Sequence, residues 1–161
     1  MDSQAQISAC LTRLHAASPS GFAIALHIRF TSPRYLFQSY DKAWLDIYTR
    51  EGFLLRDPTV GWGFENTGSI RWSALAALDT AGVLTRAAGV GLRFGVCLAL
   101  VEGGSRSIAS FTHRDRELTD AEIADRAADL AELHRLTATI DKLSPQVHET
   151  LKQMSIYLTH G

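Results

Sequence analysis

The sequence predicts an α+β domain, an α-β-α sandwich in which helices cover both faces of a central antiparallel sheet of about five strands. Two pairs of segments rich in β-branched and aromatic residues predict hairpins: residues 22–30 with 34–40, and residues 92–101 with 106–113. No helical crossover joins the strands within a pair, which argues against a parallel sheet. A length of 161 residues, 46% of them apolar, suits a single hydrophobic core.

The first part of the chain predicts a helix, a hairpin and a second helix. The helix over residues 3–17 rests on an i, i+3, i+4, i+7 apolar pattern formed by Ile7, Cys10, Leu11 and Leu14. The first hairpin turns at residues 31–33. Asp41 is placed to cap a helix over residues 42–51, and Gly52 is placed to end it.

The middle of the chain is less regular. Residues 57–69 hold four Gly or Pro among 13 positions and predict a loop or short helix rather than a regular element. A short strand is predicted over residues 70–72. Residues 73–88 predict one helix, capped by Ser73 and stopped by Gly89, with Gly82 weakening its interior.

The last part predicts the second hairpin and two helices. Residues 102–105 form a four-residue connection containing two glycines. Thr119 and Glu122 have the spacing of a capping box, which predicts the start of a long helix over about 120–142. Its apolar face comprises Ile123, Ala127, Leu130, Leu133, Leu136 and Ile140. Ser144 and Pro145 predict a further amphipathic helix with Val147, Leu151, Met154 and Leu158 on one face.

Composition and charge narrow the function. Sixteen basic and 17 acidic residues give a net charge of -1, without the basic stripe expected of an autonomous nucleic-acid binder. The longest apolar runs are far shorter than the ~20 residues of a membrane span, and the N-terminus has no signal-peptide pattern. We therefore expect a cytoplasmic protein. Cys10 and Cys97 form neither a disulfide framework nor a metal motif, so we expect buried free thiols and no metal. We also expect no cofactor.

Catalytic motifs are missing from the sequence. It has no metalloprotease, nucleophile-elbow or phosphate-loop signature. Cys97 and His113 are a conceivable nucleophile and base if their strands are neighbours, although a cysteine in an apolar run is more often part of the core. We therefore expect a protein that is not an enzyme.

A set of polar aromatic residues suggests a small-molecule site. It comprises Tyr40, Trp44, Tyr48, Asp57, Thr59 and Trp72. Aromatic side chains with an O–H or N–H group suit a mostly apolar pocket that hydrogen-bonds a few ligand atoms. The alternative is structural: the aromatics belong to the core, Asp57 caps a turn starting at Pro58, and Thr59 supports that cap.

The order of these motifs resembles the autoinducer-binding domain of LuxR-type quorum-sensing regulators. The resemblance covers roughly residues 5–140. It rests on Tyr40-x3-Trp44-x3-Tyr48, on Asp57-Pro58-Thr59-Val60, on Trp72, and on the stretch Ala87-Ala88-Gly89-x-Gly91-Leu92-x-Phe94-Gly95. It implies a ligand-binding domain over residues 1–142 that binds an N-acyl-homoserine lactone.

The resemblance also implies a role for each site residue. Tyr40 would hydrogen-bond the acyl side of the ligand, Trp44 the lactone carbonyl, and Asp57 the amide N–H. Thr59 and Ser110 would contact the region of the amide carbonyl, with Thr112 as an alternative to Ser110. Trp72 would close the head-group end. The acyl channel would be lined by Tyr48, Val60, Val83, Ala87 and Leu92.

Full-length family members carry a C-terminal helix-turn-helix domain, which residues 143–161 match only faintly at its opening. We expect an amphipathic helix there, which is either a degenerate or truncated remnant of that domain or an ordinary amphipathic helix. The leading expectation is a ligand-binding homodimer without DNA binding of its own. The alternative is a ligand-independent truncated paralogue that inhibits full-length LuxR-type regulators by forming heterodimers.

Overall fold

The computed structural model describes residues 3–30 and 32–138. The helices are α1 (Ser3–Ala17), α2 (Lys42–Arg50), α3 (Pro58–Glu65), α4 (Val83–Gly89) and α5 (Asp120–Ala138), with 3-10 helices at Phe53–Leu55 and Trp72–Leu78. The strands are β1 (Phe22–Ile28), β2 (Tyr35–Gln38), β3 (Gly68–Arg71), β4 (Phe94–Glu102) and β5 (Ser105–His113).

The five strands form one antiparallel sheet in the order β2-β1-β5-β4-β3. The two hairpins meet where β1 pairs with β5, so the sheet is built from distant parts of the chain. The predicted fold class, an α-β-α sandwich around a five-stranded antiparallel sheet, is confirmed.

Each face of the sheet carries its own apolar cluster. On one face, α1 and α5 contact each other and bury Ile7, Leu14 and Leu133 against strand residues such as Phe22 and Phe111. On the other face lies a smaller cluster formed by Tyr40, Trp44, Phe53, Trp72, Val83, Ala87 and Leu92. The second cluster is rich in aromatic side chains with polar atoms, and the candidate site lies beside it.

Several local predictions are confirmed. Helix α1 has the predicted bounds. The capping box at α5 forms, because the Thr119 N–H donates to Glu122 Oε1 at 2.8 Å and the Glu122 N–H donates to Thr119 Oγ1 at 3.1 Å. Cys10 and Cys97 are buried free thiols. No helix among the described residues is long and apolar enough to cross a membrane.

The single helix predicted over residues 73–88 is wrong. The chain forms the 3-10 helix Trp72–Leu78 and then starts α4 afresh at Val83. Gly82 adopts a left-handed φ of 73°, and the Asp79 carboxylate accepts from the N–H groups of Val83 and Leu84, both at 2.8 Å. This capping arrangement interrupts the helix that the alanine and leucine content favoured.

Residues 57–69 form the short helix that was one of the two alternatives predicted for them, followed by the start of a strand. Asp57 is the N-cap of α3 and Pro58 its first residue, and β3 follows at Gly68. The predicted strand at residues 70–72 therefore begins and ends earlier. The connection between β4 and β5 has two residues, not four, because Glu102 pairs with Ser105 across Gly103 and Gly104.

Smaller differences concern the ends of elements. Strand β1 stops at Ile28, short of residue 30, because Arg29 already pairs with Ser32 in a tight turn and Phe30 adopts a positive φ there. Asp41 occupies the N-cap position of α2 but makes no capping hydrogen bond with its side chain. The predicted helix over residues 143–161, and the end of the long helix after residue 138, lie outside the described residues.

Candidate functional site

A cavity of about 230 Å³ lies between the sheet and the layer formed by α2, α3 and α4. Ten of the eleven predicted site residues line it: Tyr40, Trp44, Tyr48, Asp57, Thr59, Val60, Trp72, Val83, Ala87 and Ser110. Leu92 does not line the cavity. It is buried in the aromatic cluster with Tyr40 and Trp44, and it precedes β4, which begins at Phe94.

The floor of the cavity is the face of β1, β2 and β5 that points away from α1 and α5. Two rungs of the sheet form it, one with Gln38, Ala23 and Ser110, the other with Leu36, Ala25 and Ile108. The central residue of each rung is an alanine. Because alanine has the shortest apolar side chain available to a strand, the middle of the floor is low and leaves space above it.

Two glycines allow aromatic rings to lie directly on the backbone. A Cβ atom built on Gly95 would overlap the indole of Trp72, and one built on Gly21 would overlap the ring of Tyr40. Gly21 also has a φ of 126°, which a residue with a side chain rarely adopts. These close approaches fix the positions of Trp72 and Tyr40 at the cavity wall.

Asp57 joins two elements of the wall. Its Oδ1 atom caps α3, accepting from the Thr59 N–H at 2.8 Å and from the Thr59 hydroxyl at 2.7 Å. Its Oδ2 atom accepts from the Tyr48 hydroxyl of α2 at 2.8 Å. A carboxylate has about four acceptor positions. With these three bonds in place, one position remains, and it belongs to Oδ2.

The hydroxyl groups nearest Asp57 stay protonated. Burial and the neighbouring carboxylate both raise the pKa of Tyr48 far above its ordinary value, and burial followed by Asp57 raises the pKa of Tyr40 in the same way. Both phenols are therefore donors at any physiological pH. The Tyr48 hydroxyl donates its hydrogen bond to Asp57. The Tyr40 hydroxyl is therefore the one of the two that can donate to another molecule.

Two donors of the wall have no described protein partner. None of the hydrogen bonds within residues 3–30 and 32–138 uses the Tyr40 hydroxyl or the Trp44 indole N–H. Trp44 is held by edge-on contact with Tyr48 and by packing against Phe53. Since both side chains line the cavity, their donors are available to a molecule inside it.

The cavity wall continues through Trp72 and Ser110. The Trp72 indole N–H lies 3.4 Å from Ser110 Oγ, a long contact that a better acceptor could replace. Thr112, the alternative to Ser110, forms hydrogen bonds away from the cavity. Its hydroxyl donates to the Gly21 carbonyl and lies 2.7 Å from Ser20 Oγ. Thr112 does not line the cavity.

The conceivable pair of Cys97 and His113 is not formed. Cys97 lies opposite Ser110 and His113 opposite Phe94, three positions along the strand and therefore on the other face of the sheet. The Cys97 thiol contacts the Thr59 carbonyl at 3.4 Å, and burial raises its pKa to about 12. A thiol in this state is a poor nucleophile.

One group of potential metal ligands lies elsewhere, between α1 and α5. It comprises Cys10, Asp129 and Glu132. Arg13 forms ion pairs with both carboxylates, at 2.9 and 3.0 Å, and Arg126 pairs with Asp129 at 3.0 Å. Two guanidinium groups already balance the two acids, so this is an ion-pair network rather than a cation site.

Sequence reasoning missed most of the floor and the rim. The missed lining residues are Ala23, Ala25, Ile28, Pro33, Leu36, Gln38, Leu45, Leu54, Phe64, Leu84, Ile108 and Ala109. Leu36, Leu54 and Phe64 are exposed at the open side of the cavity. One signal was available: β1 alternates large residues with Ala23 and Ala25, so over residues 22–26 one face of a central strand carries only small side chains.

Comparison with known proteins gives one family and several similar structures. The family described as "Autoinducer binding domain" matches residues 5–138. A structure of SdiA from Escherichia coli superposes with a TM-score of 0.63 at 19% identity, covering 86% of this chain and 65% of that one. No curated protein sequence matches.

Two further structures have the same fold. SdiA in complex with octanoyl-rac-glycerol gives a TM-score of 0.64 at 15% identity, covering 100% of this chain and 77% of that one. CepR2 from Burkholderia cenocepacia, an N-acylhomoserine lactone dependent LuxR family transcription factor, gives 0.54 at 15% identity, covering 81% and 94%. The chain thus spans about two thirds of the first SdiA chain.

Proposed function

The chain belongs to the autoinducer-binding domain family of LuxR-type quorum-sensing regulators, and on this premise we propose that it binds an N-acyl-homoserine lactone in the cavity without transforming it. The observation that carries the proposal is the set of unused polar atoms in the wall. Tyr40 and Trp44 each offer a donor, and Asp57 offers one acceptor position.

An acyl-homoserine lactone complements that set atom by atom. Its amide N–H would donate to Asp57 Oδ2, its amide carbonyl would accept from the Tyr40 hydroxyl, and its lactone carbonyl would accept from the Trp44 indole. Trp72 and Ser110 would close the head-group end, and Thr59 would hold the Asp57 carboxylate in place. The tail would lie against Tyr48, Val60, Val83 and Ala87, with Leu92 supporting that wall from behind.

Charge favours a neutral ligand. Asp57 is the one charged residue among those lining the cavity in the described part of the chain. A fatty-acid anion would meet this carboxylate in a partly dehydrated space, which is unfavourable. A neutral monoacylglycerol, the kind of molecule present in one SdiA complex, has hydroxyl donors for Asp57 but no lactone carbonyl for Trp44. It is therefore the informative competitor.

The test is a ligand series with a fixed tail and a varied head group. Octanoyl-homoserine lactone, octanoylglycerol and octanoate are compared by calorimetry and by thermal unfolding. We expect the lactone to bind with the highest affinity and to raise the melting temperature. Each added methylene that stays inside the cavity contributes up to about 0.8 kcal/mol, roughly fourfold in affinity. A melting temperature unmoved by lactones of any length would contradict the proposal.

The second candidate function is partner binding. A groove between α5 and the edge formed by β3 and β4 is lined by Leu98, Leu100 and Ile123, with Val101, Ala124 and Ala127 beside them. The ion pair of Arg71 with Asp120 also lines it. We propose that a second copy of the chain covers this groove in a homodimer. A ligand-independent inhibitor would present the same groove to a full-length LuxR-type regulator.

Light scattering after size-exclusion chromatography tests the homodimer, with Ala127→Glu in the groove as the disrupting variant. Mixing with a full-length regulator from the same cell tests the heterodimer by release of that regulator from its operator. With a net charge of -1, we expect no specific DNA binding by the chain alone. Two unpaired buried cysteines support action in a reducing compartment such as the cytoplasm.

A further inference from the structure

Gln38 is a polar residue on the cavity floor to which the proposed function gives no ligand contact. Along β2, Tyr35 and Phe37 are buried in the core on the side of α1 and α5, so Leu36 and Gln38 face the cavity. Gln38 is half-buried. No residue in the described part of the chain forms a hydrogen bond with its amide, which has two donor hydrogens and an acceptor oxygen.

The sheet register places Gln38 relative to the head-group wall, which is the part of the cavity wall formed by Tyr40, Trp72 and Ser110. Gln38 pairs with Ala23, and Ala23 pairs with Ser110, so the three residues share one rung and one face. Adjacent strands lie about 4.8 Å apart, which puts the backbones of Gln38 and Ser110 roughly 9.5 Å from each other. The methyl group of Ala23 lies between them. A ligand crossing this rung passes between two polar side chains.

Position along β2 separates Gln38 from the apolar rim. The neighbouring rung, two residues farther from Tyr40, consists of Leu36, Ala25 and Ile108 and offers no polar side chain. Alternate residues of a strand are about 6.7 Å apart. Gln38 therefore lies at the boundary between the head-group wall, which includes Tyr40, and the apolar part of the channel.

We propose that Gln38 is a specificity-determining residue that binds an oxygen substituent on the part of the acyl chain near the amide. This inference rests on the proposed function. The Gln38 NH₂ group would donate to a keto oxygen, and either end of the amide would pair with a hydroxyl group. A plain methylene chain would leave the amide dehydrated and unpaired, which disfavours it.

The test uses three lactones of equal length, carrying a 3-oxo group, a 3-hydroxy group or an unsubstituted chain. Affinities are measured by calorimetry for the wild type and for Gln38→Leu, which keeps the size and removes the amide. Gln38→Met is the second variant, in case leucine disturbs β2. Leu36→Met, one rung away, is the matched control. We expect the wild type to favour an oxygenated chain about tenfold and the two Gln38 variants to lose that preference.

The outcomes separate this inference from the proposed function. Wild type and Gln38 variants with the same ratio of affinities for oxygenated and plain chains would overturn the role of Gln38 while leaving lactone binding intact. Loss of the preference in Leu36→Met as well would assign it to the general shape of the channel and overturn the inference too. Failure of the wild type to bind any of the three lactones would refute the proposed function, and the inference would fall with it.

Discussion

Replacing Asp57 by asparagine separates the two roles of this carboxylate, helix cap and ligand anchor. The capping role should survive: the oxygen of the new side-chain amide can accept from the Thr59 N–H and hydroxyl as Oδ1 does now, at 2.8 and 2.7 Å, and asparagine caps helices about as well as aspartate. Tyr48, which now donates to Oδ2, can rotate its hydroxyl and accept from the new NH₂ group.

The ligand role should not survive. The open acceptor position on Oδ2 becomes an N–H donor, which would face the N–H donor of the ligand amide. A hydrogen bond to a charged group contributes about 1.5–3 kcal/mol. The expected loss of affinity in Asp57→Asn is therefore roughly 10- to 150-fold.

The assay is calorimetric titration with the tightest lactone, together with thermal unfolding of the ligand-free protein. Asp41→Asn is the matched control, because Asp41 also occupies the N-cap position of a helix, α2, but makes no capping hydrogen bond with its side chain and does not line the cavity. We expect Asp41→Asn to bind like the wild type. If Asp57→Asn binds within about twofold of the wild type, a difference well below the loss expected for a charged hydrogen bond, the carboxylate is only a cap and the proposed anchor is wrong.

Three further predictions follow from other parts of the structure. Gly95→Ala should lower the melting temperature by several degrees, because the new methyl group overlaps Trp72 and overpacking costs about 1–3 kcal/mol; Gly61→Ala in α3, with open space around it, should not lower it. Burial raises the pKa of Cys10 and Cys97 to about 12. Iodoacetamide at about pH 8, below the ordinary thiol pKa, should therefore label either thiol only after the protein unfolds. Mass spectrometry measures the labelling, and rapid labelling of the folded protein would contradict the burial of the thiols. The hydrogen bond with Arg116 lowers the pKa of Glu122 to about 2. The stabilisation that the Glu122 carboxylate provides should therefore be complete above the ordinary carboxyl pKa and lost as the pH falls towards that lowered value. Melting temperatures of the wild type and of Glu122→Gln should converge in acid, and a difference that stays constant with pH would refute this role of Glu122.

The two hairpins and the start of α5 were predictable because their signals are local. Each hairpin is marked by two apolar runs around a short turn, and the capping box at Thr119 marks the start of α5 in four residues. The misread segment at residues 73–88 shows the limit of that approach. The segment is rich in residues that favour helices, yet the Asp79 cap and the left-handed Gly82 divide it into two helices. The capping bonds depend on how the chain turns between residues 79 and 83.

The polar residues that line the cavity could be picked out from the sequence, and the residues of its floor could not. Tyr40, Trp44, Tyr48 and Asp57 have side chains whose chemistry is visible in the sequence, and their spacing matches a family. The floor depends on register instead. Ala23, Gln38 and Ser110 become neighbours only because β1 pairs with both β2 and β5, and no local pattern shows that pairing. Leu92 differs for another reason: the predicted strand began at residue 92, whereas β4 begins at Phe94.

The most direct test of lactone binding in the cavity is a crystal structure of the protein with the lactone that it binds with the highest affinity. We expect the ligand in the cavity, with its amide nitrogen within hydrogen-bond distance of Asp57 Oδ2, its amide carbonyl at the Tyr40 hydroxyl and its lactone carbonyl at the Trp44 indole. A lactone bound outside the cavity, or inside it with the amide nitrogen turned away from Asp57, would contradict the account.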